Sequence, residues 1–136
     1  MADMTIGLRW NGEGMQFTAE HASGNHFRLD GNGKTSHSPV QALALSLAGC
    51  MGSDVVDICE KMRVAFADLR IEVDGDRNAE PPRYSTALRV AVFVKGVDPA
   101  DEAKVQRALD LSHEKYCSVL HTLRKDLSFT TRLVLE

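Results

Sequence analysis

The sequence predicts an α+β fold, and three observations predict it. Apolar and polar residues alternate at a period of two through the N-terminal third. One long run of helix-forming residues then occupies positions 38–63, and it is apolar around most of its circumference. Two further alternating stretches, two helical patterns and a closing strand follow. Residues 1–136 are read as a single domain.

Met4, Ile6, Leu8 and Trp10 alternate with Thr5, Gly7 and Arg9, which predicts a first strand. The turn Asn11-Gly12-Glu13-Gly14 follows, and Met15, Phe17 and Ala19 then alternate with Gln16, Thr18 and Glu20. Together they make a hairpin. A third short strand from His26 to Leu29 runs into the turn Asp30-Gly31-Asn32-Gly33. Ser38 suits a helix N-cap and Pro39 the first helical position. Leu43, Leu45, Leu47, Met51, Val55, Val56, Ile58 and Met62 surround the helix that follows, so burial on several sides is expected. Gly49 and Gly52 each cost that helix about 1 kcal/mol in propensity, which predicts something packed close to its backbone.

After the helix, Leu69, Ile71 and Val73 alternate with Arg70, Glu72 and Asp74, and 84–95 is a second alternating stretch. Both read as strands. Asp98 and Pro99 open another helix carrying Val105, Ala108, Leu109 and Ser112 at helical spacing. A break near Tyr116 leads to a short helix from Cys117 to about Lys125, and 127–135 is the closing strand.

Composition narrows the function classes. Of the 136 residues 43% are hydrophobic and 26% charged, and the net charge is −3 with basic residues scattered. That balance argues against nucleic acid as the main partner. No basic segment precedes an apolar one at the N-terminus, so no signal peptide is expected. The apolar segment 40–58 is interrupted by Gln41, Ser46, Ser53, Asp54 and Asp57, so no membrane span is expected. Three cysteines do not make a secreted disulfide framework, which points to a reducing cytoplasm where a disulfide is transient and chemical.

The cysteines hold the chemistry. Cys50 lies in the middle of the long helix and Cys59 nine residues on, offset by half a turn and separated by roughly 13 Å along the axis. Those two cannot bridge, and Cys59 reads as a packing residue. Cys117 opens the short helix, where backbone N–H groups and the nearby His113, Lys115 and His121 would favour a thiolate. A functional thiol and a structural one are both compatible with that position. A two-step redox cycle needs a thiolate that attacks a peroxide and a second thiol that condenses with the sulfenic acid. Cys50 and Cys117 can meet only if the short helix docks on the long one.

The segment from Ser38-Pro39-Val40-Gln41-Ala42-Leu43 into Ala48-Gly49-Cys50 resembles the helix motif of the OsmC/Ohr family. The segment Ser112-His113-Glu114-Lys115-Tyr116-Cys117-Ser118-Val119 resembles that family's second cysteine motif. The order of elements is similar over essentially the whole chain. The resemblance implies antiparallel sheets wrapped around a long buried central helix in an intertwined homodimer, with sites at the subunit interface. It implies that Cys50 attacks an organic hydroperoxide, that Cys117 resolves, and that a dithiol reductant closes the cycle. No cofactor and no metal are called for, since none of the five histidines stands at zinc-site spacing.

The sequence departs from the family's peroxidase pattern at two places. Val40 stands where those members carry a glutamate, and the first hairpin turn lacks their arginine. Loss of such preorganised charge would cost about 2–4 kcal/mol of transition-state stabilisation. Arg9 and Arg28 are the strand arginines able to compensate, against the plainer reading of a solvated strand face. The departure leaves a second expectation open, a non-catalytic protein holding a small apolar or electrophilic ligand at the dimer interface. A third reading, a hot-dog thioesterase using Gln41, leaves the cysteines unexplained. Asp54 and Asp57 are expected to share a solvated or partner-facing stripe of the helix.

Overall fold

The computed structural model describes residues 2–136. They form two compact units, residues 2–44 and 45–136.

The first unit carries an antiparallel sheet of β1 (Arg9–Trp10), β2 (Gln16–Glu20) and β3 (His26–Asp30). The hairpin follows its alternation, with Trp10 opposite Phe17 and Phe17 opposite Leu29. The first strand is much shorter than the 4–10 alternation predicts. Only Arg9 and Trp10 find backbone partners on β2, and Met4 and Ile6 stay exposed. A period-two pattern makes a strand only where another strand satisfies its backbone groups. The turn after β3 is organised by buried Asp30. Its carboxylate accepts from the N–H groups of Asn32, Lys34 and Thr35 and from Thr35 Oγ1. Those bonds, the Thr35 N–H first, lower its pKa to about 2.

Helix α1 spans Pro39–Lys61. Its start is a capping box, a device that satisfies two otherwise unpaired donors. Gln41 N–H donates to Ser38 Oγ at 3.2 Å, and Ser38 N–H donates to Gln41 Oε1 at 2.9 Å. The helix ends where Arg63 turns into the left-handed region at φ 60° and Val64 N–H reaches back to the Cys59 carbonyl.

The second unit places the sheet β4 (Asp68–Arg77), β5 (Ser85–Lys95) and β6 (Ser128–Leu135) against α1, with β5 in the middle. Leu47, Met51, Val55 and Cys59 recur every fourth residue and are fully buried. They meet Val90, Val92 and Val94, the inward set of β5. Each such side chain contributes about 1.5–3 kcal/mol on burial. The sheet is not wholly antiparallel as expected. β4 runs antiparallel to β5, but β6 runs parallel to it. A parallel neighbour needs a crossover, and a short 3₁₀ turn (Pro99–Asp101), α2 (Glu102–Leu111), a π-helical turn (Ser112–Tyr116) and α3 (Ser118–Thr122) provide it. Asp98 caps the crossover by accepting from Ala100 N–H.

The expected burial of α1 on several sides is not met within one chain. Leu45 and Val56 remain 47% and 44% exposed, on a face left uncovered among the described residues. By length and composition alone, with a mean hydropathy of 1.5 over its best window, α1 would be able to cross a membrane. Packing of its core face on the chain's own sheet, and the Asp57–Lys61 ion pair at 2.8 Å, mark a core helix instead.

Two glycines are explained by close approach. A Cβ on Gly52 would lie 2.8 Å from Ile71 Cδ1. On Gly75, opposite Leu88 across the β4–β5 pair, it would lie 2.3 Å from the Ala87 carbonyl oxygen. Gly75→Ala is therefore expected to destabilise the fold by about 2–3 kcal/mol, because backbone has to give way. Urea unfolding measures this, and a change within experimental error would count against the strand register.

Candidate functional site

Cys50 and Asp54 occupy successive turns of one side of α1, next to the core row rather than in it. Cys50 is half-buried, whereas Cys59 belongs to the core row and is fully enclosed. Burial raises the Cys59 pKa, which suits an inert packing thiol.

Cys117 reaches this side of α1 through the crossover. The segment after α2 widens into the π-helical turn, a local form common at functional sites. That turn ends when Cys117 N–H donates to the Ser112 carbonyl at 2.9 Å. The Cys117 backbone is extended, at φ −72° and ψ 99°, and its sulfur caps α3 by accepting from Leu120 N–H at 3.4 Å. The Cys50 side chain lies next to its thiol and interacts with it directly. The structure thus brings Cys50 and Cys117 together as free thiols and leaves Cys59 apart.

The expectation that Cys117 is a stabilised thiolate is overturned. Its pKa is pushed up to about 11. Burial is the largest cause, and it outweighs the Leu120 N–H that acts the other way. The Cys50 sulfur and the Asp54 carboxylate push in the same direction as burial. The α3 helix has only five residues, and the cations named from sequence have other partners. His121 Nε2–H donates to the His113 carbonyl at 3.0 Å. The His113 ring meets Phe129 edge-on at 5.0 Å, and Lys115 lies over the Tyr116 ring. The buried thiol therefore keeps its proton at neutral pH.

Asp54 is the residue that the sequence reading misplaced. It does not share a solvated stripe with Asp57. Asp57 pairs with Lys61, while Asp54 Oδ2 accepts from Ser112 Oγ at 2.8 Å. Ser112 is fully buried and joins Asp54 to the Cys117 backbone. The available signal was spacing, since Asp54 follows Cys50 by one helical turn. Gln41 is engaged in the capping box, which removes the feature that favoured a thioesterase. Val40 is exposed at the start of α1, and Arg9 and Arg28 are exposed on β1 and β3.

On the uncovered face of α1 lies an open groove of about 780 Å³, which neither thiol lines. Leu45, Gly49, Gly52, Val56, Leu69 and Ile71 line most of it. A Cβ on Gly49 would meet nothing within 4 Å, so this face is flat and open.

A half-buried mid-helix thiol beside a buried helix-capping thiol, on a long helix backed by a mixed sheet, defines an α+β dithiol protein. Residues 31–132 match the OsmC family, described as OsmC-like protein, and the chain belongs to that family. It is 40% identical over 128 residues to Protein YhfA of Escherichia coli K12, covering 93% of this chain and 94% of the relative. Among solved structures, an OsmC-like protein from Mycoplasma pneumoniae superposes with a TM-score of 0.79 at 17% identity, covering 98% of this chain and 99% of the other. The organic hydroperoxide resistance protein OhrB of Bacillus subtilis superposes at 0.59 with 18% identity, covering 99% and 100%. At those identities the structures share the fold.

Proposed function

We propose that the protein is a thiol-dependent peroxidase that reduces organic hydroperoxides through Cys50 and Cys117. One observation carries the reading: two free thiols lie beside each other, one half-buried and one fully enclosed. The accessible sulfur attacks. The Cys50 thiolate takes the terminal peroxide oxygen, the O–O bond breaks, and the alkoxide leaves as alcohol after taking a proton. Cys50 is then a sulfenic acid. Cys117 attacks the Cys50 sulfur, the S–O bond breaks, and the hydroxide leaves as water with the Cys117 proton. The resulting disulfide is reduced by an external dithiol, which is itself oxidised. Hydroperoxide resistance in the name of the Bacillus subtilis neighbour agrees with this chemistry.

The working unit in this proposal is a homodimer in the cytoplasm. The exposed apolar face of α1, with the small residue Gly49 on it, suits close approach of a second copy. Substrate would enter between the subunits beside Cys50. Val40 in place of the family's glutamate predicts a slower enzyme than members with the full charge pair.

Treatment with one equivalent of cumene hydroperoxide, followed by peptide mass mapping, tests the reading. The expected product is a Cys50–Cys117 disulfide with Cys59 reduced. Retention of all three thiols, or a bridge through Cys59, would refute it. Uptake of one apolar ligand without turnover would instead assign a ligand-holding protein.

A further inference from the structure

The unused groups around the thiols point to a division of labour. Asp54 stands one turn from Cys50, and its carboxylate is the acceptor for a buried hydroxyl. That hydroxyl belongs to Ser112, whose carbonyl fixes the Cys117 N–H at 2.9 Å. A chain of two hydrogen bonds therefore runs from α1 to the backbone of the enclosed cysteine. Neither bond involves the sulfurs, and the redox cycle above does not use them.

We propose that Asp54 is a positioning residue for the thiol pair: through Ser112 it fixes Cys117 beside Cys50, and its charge opposes an anion on the enclosed sulfur. A carboxylate held at this place disfavours a second anion on Cys117. The pKa of Cys117 is raised to about 11, mainly by burial, and Asp54 pushes it the same way. The titratable groups acting on Cys117 from α1 are Cys50 and Asp54. On its own segment, His113, Lys115 and His121 are engaged with Phe129, Tyr116 and the His113 carbonyl. From the sheet, the side chains in this core are apolar, Phe129, Leu133, Val90 and Val92. On the outer face of the sheet, Arg89 pairs with Asp74 and Asp76, and Arg132 lies over Phe93.

The inference rests on the thiol-pair reading, but its test needs no peroxide, so either can fail while the other stands. Thiolate absorbance near 240 nm is followed against pH for the Cys50→Ser protein. Subtraction of the Cys50→Ser Cys117→Ser protein isolates Cys117. Adding Asp54→Asn, which keeps an acceptor for Ser112 and removes the charge, is expected to lower the Cys117 midpoint, by less than burial raises it. Asp54→Glu is expected to restore it. An unchanged midpoint in Asp54→Asn overturns the electrostatic role. Ser112→Ala tests the fixing role independently. It leaves the charge in place and is expected to speed amide exchange at Cys117 at least several-fold, and unchanged protection overturns that role.

Discussion

Cys50→Ser is expected to reduce consumption of an organic hydroperoxide by on the order of 10³-fold, while Cys117→Ser is expected to spare the first turnover and stop the cycle. A serine hydroxyl in place of a thiolate removes the nucleophile outright, and 10³-fold corresponds to about 4 kcal/mol of barrier. The asymmetry is the informative part. Without Cys117 the first step still yields alcohol and a sulfenic acid at Cys50, with nothing to condense on it. One equivalent of alcohol should therefore appear as a burst, and dimedone should trap the sulfenic acid. Further peroxide should drive Cys50 to sulfinic acid. Stopped-flow detection of the burst and intact-protein mass measure both outcomes. Equal loss in the two variants would mean that the roles are not divided as proposed. Cys59→Ala should leave turnover unchanged, because that thiol lies in the core row with Leu47, Met51 and Val55.

A charge on the open face of α1 is expected to separate the subunits. Val56→Arg places a cation where the chain leaves an apolar side chain 44% exposed. In a two-fold interface the substitution occurs twice, so two unpaired charges are buried together. That costs several kcal/mol, equivalent to at least about 100-fold in dissociation constant. Sedimentation velocity at micromolar concentration should show a dimer for the unsubstituted chain and a monomer for the variant. The monomer should stay folded, because Val56 is outside the chain's own core. A variant that sediments like the parent would place the interface elsewhere. A parent chain that is itself monomeric would remove the homodimer from the proposal.

Much of the fold was legible because its signals are local. Ser38 and Pro39 fixed where α1 begins, Leu88, Val90, Val92 and Val94 carry the alternation of β5, and Asp98 marked the start of the crossover. The half-turn offset between Cys50 and Cys59 followed from helix geometry alone, and it correctly set Cys59 apart. The shortened first strand was not legible, since alternation at 4–8 says nothing about which strand will pair with it. Nor was the parallel seating of β6, which depends on the path of the crossover rather than on the composition of the strand.

By itself the sequence determined the α+β class, the long helix and the family. Only the tertiary structure decided that the two sulfurs meet, that Cys117 is a protonated, buried thiol and that Asp54 is bonded to Ser112 beside them. The physical reason is range. Helix caps, alternation and helical offsets are written in neighbouring residues, whereas desolvation of a sulfur and a hydrogen bond across 58 positions of chain exist only once the crossover has folded back onto α1.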